Sequence, residues 1–253
     1  MSQGAHACDT GVFQVLTKRK PDLQLFLNRL TSRSVLSERE KNAVLDLPGD
    51  TMLIPEGNDF IRLRETVEHT SLILHGLIAR FDRNQNGHRQ ITALHIRGDM
   101  PDLHTVAQPR ATCALHTLSF ATILRVPHSA LRNAAAAHPG ISQALWRDTI
   151  VDSTILAQWV LNVGRRGSQA RIAHLLCEMA TRYGVCQPNE VSFRLPMTYE
   201  QLADTTGLTP VHVVRTLNAL KQSGTTFENG MVRIKDWTTM IEIAEFDQAY
   251  LQV

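Results

Sequence analysis

The sequence is poor in cysteine and in aromatic residues. Only four of its 253 residues are cysteine, and aromatic residues make up 6% of the chain. Cys8, Cys113, Cys177 and Cys186 never form a C-x-x-C pair, a spacing that fits neither a zinc ribbon nor a cysteine-ligated iron–sulfur cluster. We therefore expect reduced, mostly buried thiols, with a redox role for Cys177 or Cys186 as the open alternative.

Long apolar runs are also missing. No run approaches the roughly 18 residues that a membrane span requires. Residues 1–20 contain Asp9 and lack the apolar block of a signal peptide. Hydrophobic residues make up 43% and charged residues 20% of the chain, as in ordinary globular proteins. We expect a cytoplasmic protein that has no membrane partner.

Charge of one sign is not in excess, and the motifs of common enzymes are absent. The chain has 26 Lys and Arg against 24 Asp and Glu, and a net charge of +2 does not by itself indicate nucleic acid. There is no P-loop, no G-x-S-x-G and no H-E-x-x-H. The 11 histidines contain no H-x-H pair, which disfavours the rival hypothesis of a β-roll metalloenzyme. We expect no catalytic activity, no metal and no cofactor.

Turn signals and hydrophobic periodicity divide the first half of the chain. Residues 1–20 predict a loose polar tail, and a helix is predicted to begin at Pro21. Ser37 and Glu40 predict a capping box at the start of a second short helix. Between residues 49 and 127, short β-type runs at close spacing predict a small antiparallel barrel or roll. These runs are Thr51–Ile54, Ser71–Leu74, Leu77–Phe81, Gln90–His95, Thr112–Leu115 and Ala121–Val126.

A long helical stretch is predicted from about Ser129 to Val163, with a break at residues 138–140. Its second part has two apolar stripes, and such a helix covers two surfaces. One surface is the chain's own barrel. The other is either a symmetry mate or a second side of the same core. The first stripe contains Ile141, Leu145, Thr149, Asp152, Leu156, Trp159 and Val163, and the second contains Trp146, Ile150, Ser153, Ala157 and Val160.

Two capped helices with a tight turn between them are predicted after residue 197. Thr198 is followed by Gln201 at the capping-box position, which predicts the start of a short helix. Gly207 predicts a tight turn, because glycine adopts positive φ at little cost. Thr209 and Pro210 then predict the cap and the first turn of a second helix. This arrangement is typical of a helix-turn-helix.

A β-hairpin is predicted directly after the two helices. Thr225–Glu228 and Met231–Lys235 are separated by Asn229-Gly230, a strong two-residue turn signal. A winged helix-turn-helix carries its wing at this place. The combination favours binding of double-stranded DNA over the alternative, an ordinary helical hairpin in a core.

The second helix of the pair supplies the predicted base contacts. Arg215 is long and bidentate, so we expect it to read guanine O6 and N7 in the major groove. His212 can donate to a base or a phosphate, and Val211 and Val214 either contact a thymine methyl group or simply pack. Free N–H groups at helix starts are expected to bind phosphates. The complete predicted set is Ser168, Thr198, Tyr199, Thr209, Val211, His212, Val214, Arg215 and Lys221.

In the order of these elements, the chain resembles the cyclic-AMP receptor protein and Fnr (Crp/Fnr) family of bacterial transcription regulators. The resemblance covers roughly residues 21–250, and the tract T-Y-E-Q-L-A-D-T-T-G-L-T-P-V-H-V-V-R-T-L is similar to the family's recognition region. It implies an α+β fold with a cyclic-nucleotide-binding-like β-roll, a long dimerisation helix and a C-terminal winged helix-turn-helix. The implied divisions are a flexible tail at 1–20, the β-roll with flanking helices at 21–138, the dimerisation helix at 139–164 and the DNA-binding domain at 165–253.

The resemblance also implies partners. A homodimer would place two recognition helices on half-sites about one helical turn apart, and RNA polymerase is a further implied partner. The resemblance implies the family's base-reading role for Arg215. Because Pro210-Val211-His212 stands where the family has Arg-Glu-Thr, the resemblance does not imply the same target DNA sequence. No effector is indicated. The residues assigned to dimerisation are Ile141, Leu145, Leu156, Trp159 and Val163.

The β-roll departs from the family where a cyclic nucleotide would bind. The tract G-D-M-P-D-L-H at 98–104 has Pro101-Asp102 where the family has Gly-Glu for the ribose, and Ala111 stands at the position of the phosphate-binding Arg. Proline lacks the N–H that a phosphate cradle needs, and a missing Arg leaves the phosphate uncompensated. We expect that the roll does not bind cyclic AMP. The alternative is a cyclic-nucleotide-responsive regulator with a rearranged pocket.

Overall fold

A computed structural model describes residues 15–17, 20–186 and 190–252, with side chains from residue 22 onwards. Helices flank a β-rich N-terminal part, a long helix follows, and a mixed helical and β part ends the chain. Within the described ranges, no helix combines the length and the apolar character needed to cross a bilayer. The fold is the predicted α+β architecture.

The N-terminal part contains two helices and eight of the described strands. α1 spans Lys20–Thr31, beginning one residue before the predicted start, and α2 spans Glu38–Leu45. Ser37 Oγ accepts a hydrogen bond from the Glu40 N–H, and the Glu40 carboxylate accepts one from the Ser37 N–H, which confirms the predicted capping box. The strands are β1 Val15–Thr17, β2 Asp50–Ile54, β3 Asp59–Ile61, β4 His69–His75, β5 Ile78–Arg83, β6 Arg89–His95, β7 Ala114–Thr117 and β8 Ala121–Pro127.

These strands form two four-stranded antiparallel sheets, with the orders β1-β2-β8-β4 and β3-β7-β5-β6. Both sheets contribute to one apolar cluster that includes Ile54, Ile73, Ile78 and Leu115, which is the interior of the predicted roll. β1 and β3 were not predicted, because three residues are too few to show alternation. β1 lies within the predicted loose tail and pairs with β2, so that prediction is wrong for Val15–Thr17. It is also wrong for Lys20, the first residue of α1, whereas residues 1–14 and 18–19 of the tail lie outside the described residues.

Two helices connect the roll to the C-terminal part. α3 spans His128–Ala137 and α4 spans Pro139–Arg165, so the predicted break is confirmed. Pro139 occupies the first turn of α4, where its missing N–H costs nothing. The 27 residues of α4 make it about 40 Å long at the usual rise per residue. Its length lets one helix contact both the roll and the C-terminal part.

The C-terminal part surrounds one buried helix. α5, at the centre, is almost completely buried from Ile172 to Ala180. The three strands of this part form a sheet with the order β10-β11-β9. The elements are α5 Ser168–Arg182, β9 Val191–Arg194, α6 Tyr199–Thr206, α7 Pro210–Leu220, β10 Thr225–Glu228, β11 Met231–Ile234 and α8 Trp237–Ala244.

A buried charge cluster joins the two parts of the chain. Asp99 follows β6 and is 3% exposed, and its carboxylate accepts hydrogen bonds from Arg29 of α1 at 2.5 Å and from Arg182 of α5 at 2.8 Å. Arg29 also binds Asp148 of α4 at 2.5 Å. Burial acts to raise the pKa of the Asp99 carboxyl, but Arg29 and Arg182 outweigh it and hold the pKa below its ordinary value. The Asp99 carboxylate is therefore ionised at neutral pH, whereas burial raises the pKa of the Asp148 carboxyl above its ordinary value.

A second contact connects the β5–β6 hairpin to α6. Arg89 Nε lies 2.7 Å from the Asp204 carboxylate, and Gln90 Nε2 donates to the carbonyl oxygen of Thr205. The apolar core is continuous across the same junction, since Leu94 of the roll and Leu176 of α5 belong to one cluster. The C-terminal part is thus held against the roll by ion pairs and by apolar contacts.

Candidate nucleic-acid interface

α6 and α7 form a helix-turn-helix whose ends are built as predicted. Thr198 Oγ1 accepts a hydrogen bond from the Gln201 N–H at 3.1 Å, and Gln201 Oε1 accepts one from the Thr198 N–H at 2.8 Å. Gly207, with φ of 65°, ends α6 in the left-handed region. Thr209 Oγ1 accepts from the His212 N–H at 3.3 Å and caps α7, with Pro210 in its first turn. Each cap satisfies a backbone donor that a helix end leaves free.

The inner face of α7 is buried, and it contains one residue more than the sequence predicts. Val213, Leu217 and Leu220 are at most 4% exposed, as the sequence predicts. Thr216 was expected on another face but is 3% exposed, because it lies between Val213 and Leu220 on the helical surface. Leu202 of α6 is fully buried against this face. The two helices therefore share one core and hold α7 by its inner side.

The outer face of α7 carries most of the predicted base contacts. Val211, His212, Val214 and Arg215 are all exposed, and the Arg215 side chain makes no hydrogen bond or ion pair with any other described residue. Asn218 is exposed on the same face, one turn beyond Val214 and Arg215. Sequence reasoning missed Asn218, although its helical spacing from Val211 and Arg215 could have indicated it. The structure thus brings one guanidinium, one amide and one imidazole to a single solvent-facing surface.

The predicted phosphate contacts lie at the edges of this surface. Tyr199 is 43% exposed in the first turn of α6, with its ring 6.1 Å from that of Phe227 of the wing. Lys221 Nζ lies 3.1 Å from the Glu228 carboxylate, an ion pair that competes with a phosphate. Ser168 is not the cap of α5. Gly167 holds that position without a side-chain hydrogen bond, and Ser168 is the first helical residue.

The predicted wing is confirmed as the hairpin of β10 and β11. Glu228 pairs with Met231, so Asn229 and Gly230 alone form the turn, with φ of 51° and 73°. Positive φ at both residues is typical of a two-residue hairpin turn. The wing follows α7 directly, and β9 joins it as the third strand. The predicted order of a winged helix-turn-helix is thus present in space.

The structure corrects the predicted dimer surface. Ile141, Leu145 and Trp159 are 1%, 9% and 5% exposed, because they pack in the chain's own core. Trp159 Nε1 also donates to the buried Glu178 carboxylate at 2.9 Å. Side chains that are already buried cannot form an intermolecular contact. Val163 is half-buried beside the turn at Gly207, and Leu156 alone of the five is largely exposed, at 42%.

The exposed face of α4 is the second of the two apolar stripes. Trp146, Ile150 and Val160 are 69%, 49% and 63% exposed. Together with three small residues they recur at alternating steps of four and three positions, the period of a coiled-coil seam. We call this face the α4 stripe. It consists of Trp146, Ile150, Ser153, Ala157, Val160 and Gly164.

The roll contains a cavity of about 300 Å³ between its sheet and α4. Asp102 lies between Pro101 and Leu103, which line the cavity, but its own side chain is buried in the protein. One of its carboxylate oxygens accepts from Thr70 Oγ1 at 2.7 Å and from the Ser71 N–H at 2.8 Å, and the other accepts from Ser71 Oγ at 3.0 Å. Ala111, at the position of the family's Arg, is 4% exposed in the apolar cluster, and Arg110 points outward.

An ion pair crosses this cavity. Arg80 of β5 donates to the Asp152 carboxylate of α4 at 2.8 Å and to the carbonyl oxygen of Pro101 at 2.6 Å. Burial acts against the charge of Arg80, but Asp152 outweighs it and raises the pKa of the guanidinium above its ordinary value. The pair is therefore ionised at neutral pH and links the roll to α4.

Comparisons with known proteins agree with this architecture. The model of the Crp-like helix-turn-helix domain matches residues 170–243. The chain is 28% identical to the nitrogen fixation regulation protein FixK of Azorhizobium caulinodans over 162 residues, 64% of either chain. It is 26% identical to the transcriptional activator protein FnrL of Cereibacter sphaeroides over 200 residues, 76% of this chain and 79% of that one.

A solved structure shows the same fold. The structure of FixK2 from Bradyrhizobium japonicum superposes with a TM-score of 0.71 at 23% identity, covering 78% of this chain and 98% of that one. The matched part of FixK from Azorhizobium caulinodans is just under two thirds of its length. The family model covers α5 to α8 except for the last residue of α8 and the first two of α5, which places the match on the helix-turn-helix described above.

Proposed function

We propose that the chain is a DNA-binding transcription regulator of the Crp/Fnr type, and that it acts as a homodimer on a roughly palindromic DNA site without binding cyclic AMP. Its relatives are transcription regulators rather than enzymes. We also propose that it acts in the cytoplasm, with RNA polymerase as a further partner. The observation that carries the proposal is the outer face of α7, where Arg215 is exposed and unpaired among the described residues.

Arg215 is the proposed reader of a guanine. It lies in the second turn of α7, close enough to the capped N-terminus to enter a major groove with it. Its guanidinium can donate two hydrogen bonds to guanine O6 and N7, which no other base offers together. The free N–H groups at the starts of α6 and α7, together with Tyr199 and Lys221, would bind the flanking phosphates.

Replacing Arg215 with alanine is expected to weaken binding to the specific site by about 1–3 kcal/mol, or roughly 5- to 150-fold. The exposed side chain has no partner within the described protein, so the fold should be unaffected. The measurement is fluorescence anisotropy on a site selected from random DNA. Arg39→Ala, which removes an exposed arginine from α2, is the matched control and should bind normally. Unchanged specific affinity of the Arg215→Ala variant would refute the base contact.

The α4 stripe supports the homodimer. Its 3.5-residue period suits a parallel pairing of two copies of α4, and its small residues leave room for close approach of the helices. An open apolar groove of about 920 Å³ runs beside the stripe, lined by Trp146 and Ile150 and by the 3₁₀ turn at Leu103–Val106. A second copy of α4 would cover apolar surface on both sides of this groove. Two copies would present two recognition helices, which accounts for a palindromic site.

Three features of the roll support the proposal that cyclic AMP does not bind. The Asp102 carboxylate is 2% exposed and already accepts three hydrogen bonds from Thr70 and Ser71, out of about four that a carboxylate can accept, so little of it is available to a ribose. The carbonyl of Pro101 is engaged by Arg80, and proline has no N–H for a phosphate. Arg80 itself is paired with Asp152, so a phosphate would have to displace a carboxylate from it.

Calorimetric titration with cyclic AMP and cyclic GMP is expected to give no saturable heat at nucleotide concentrations up to about 1 mM. A dissociation constant above that concentration corresponds to a binding free energy of less than roughly 4 kcal/mol. In parallel, the nucleotides should not change the affinity for the selected DNA site. The DNA measurement serves as the control for folded, active protein. Tight saturable binding would refute the proposal and favour the alternative, a cyclic-nucleotide-responsive regulator with a rearranged pocket.

A further inference from the structure

Two valines lie exposed on the outer face of α7, where folding gives no reason for them. Val211 is 71% exposed and Val214 is 39% exposed, whereas Val213 between them is fully buried. Valine is a poor helix former, and exposed apolar surface does not stabilise the fold. The structure therefore excludes the alternative that these two side chains simply pack in the core.

The two valines stand beside the proposed guanine reader. Val211 lies one turn before Arg215 and Val214 immediately precedes it, so all three side chains project from the same solvent-facing surface in the first two turns of α7. If Arg215 reaches a base edge, both valines face the floor of the same groove. This step rests on the proposed function.

The major groove offers few apolar partners. Base edges there present hydrogen-bond donors and acceptors, and the one apolar group among the four bases is the 5-methyl group of thymine. A valine has no donor or acceptor on its side chain, so it leaves the polar edges of guanine, cytosine and adenine without a partner. A thymine methyl group is the base feature that Val211 and Val214 can contact favourably.

We propose that Val211 and Val214 read the 5-methyl groups of thymines that neighbour the guanine bound by Arg215. The two side chains are thereby specificity-determining residues, and each half-site contains a guanine flanked by thymine. Among the described residues of the outer face of α7 there is no carboxylate, the side chain that most often accepts from the amino group of cytosine.

Replacing thymine with deoxyuridine tests the proposal, because it removes the methyl group and keeps every hydrogen-bonding atom. The preferred site is first selected from random DNA with the wild-type chain. Each thymine is then replaced in turn, and affinity is measured by fluorescence anisotropy. We expect a loss of about fourfold, the value of one buried methyl group, at one or two thymines next to the guanine.

Variants connect each loss to a side chain. The deoxyuridine effect should disappear in Val211→Ala at one position and in Val214→Ala at another. Alanine is the better helix former, so both variants should stay folded. Val35→Ala, at a valine that is 97% exposed in the loop between α1 and α2, is the matched control and should keep both effects.

Two results would overturn the proposal. One is equal affinity for thymine and deoxyuridine sites at every position while specific binding persists, which would leave the proposed function intact. The other is a deoxyuridine effect of the same size in both alanine variants. If no specific site can be selected at all, the proposed function fails first and the reading of thymine fails with it.

Discussion

Replacing Asp99 with asparagine is expected to lower the free energy of unfolding by about 3–5 kcal/mol, the usual cost of removing one partner from a buried ion pair. Asparagine keeps the shape of the side chain and removes its charge. Arg29 and Arg182 would then lose their shared carboxylate, which now binds them at 2.5 and 2.8 Å. Both are poorly exposed, so water cannot replace that partner fully. The measurement is urea unfolding at pH 7, followed by circular dichroism.

The matched control for Asp99→Asn removes a carboxylate from an exposed pair. Glu38 of α2 binds Lys41 at 2.6 Å but is 83% exposed, so Glu38→Gln should leave the unfolding midpoint almost unchanged. A midpoint for Asp99→Asn equal to that of the control would contradict the prediction. It would mean that Asp148 and Glu178, the other partners of the two arginines, compensate for the lost charge.

The pH dependence of this contribution has a definite sign. The pKa of Asp99 in the folded chain lies below its ordinary value, since Arg29 and Arg182 outweigh the burial that would raise it. A carboxyl group with a lowered pKa stabilises the fold above the pKa of the unfolded chain and loses that contribution as pH falls towards the folded value. The difference in the free energy of unfolding between wild type and Asp99→Asn should therefore have its full size at neutral pH and decrease only at acidic pH.

Placing two charges in the α4 stripe, as Ile150→Glu with Val160→Glu, is expected to convert the proposed dimer into monomers. Both side chains are exposed in the single chain, so the change should not disturb its core. In a dimer, by contrast, it would bury four carboxylates without partners. Loss of the second recognition helix should weaken binding to the full palindromic site by on the order of 10²–10⁴-fold. Sedimentation velocity over a wide concentration range measures the first effect, and anisotropy the second.

The control for this double variant is Val35→Glu, the same change at an exposed loop valine. It should leave both mass and DNA affinity unchanged. A double variant that stays dimeric at every concentration would show that another face joins the two copies. Trp159 is unsuitable for this test, because it is buried and bonded to Glu178, so a charge there would destabilise the single chain instead.

The sequence determined much of the DNA-reading part, because its signals act over a few residues. The capping box at Thr198, the glycine turn at Gly207 and the wing turn at Asn229-Gly230 all rely on residues within one turn of each other. The inward stripe of α7 follows from helical period alone. Such features can be predicted locally, and the structure contains them at the predicted residues.

Strand assignments show where local signals become too weak. Six of the eight described strands in the N-terminal part coincide with predicted β-type runs to within a few residues, because alternation over four or more positions is visible. β1 and β3 have three residues each and are ordered by pairing with β2 and β7. Their partner strands lie tens of residues away in the chain, and no pattern inside a three-residue strand predicts that pairing.

Only the tertiary structure decided which side of α4 faces its own chain. The sequence shows two apolar stripes on this helix, and either could serve as a dimer seam. Trp159 donates a hydrogen bond to Glu178, 19 residues further along the chain, whereas Trp146 has no such partner among the described residues. The same holds for the roll, where Asp102 bonds to Thr70 and Ser71 and Arg80 to Asp152, a partner 72 residues away. Helix caps and periods depend on neighbours in sequence, whereas burial and ion pairing depend on which distant elements pack together, and that is settled only when the whole chain has folded.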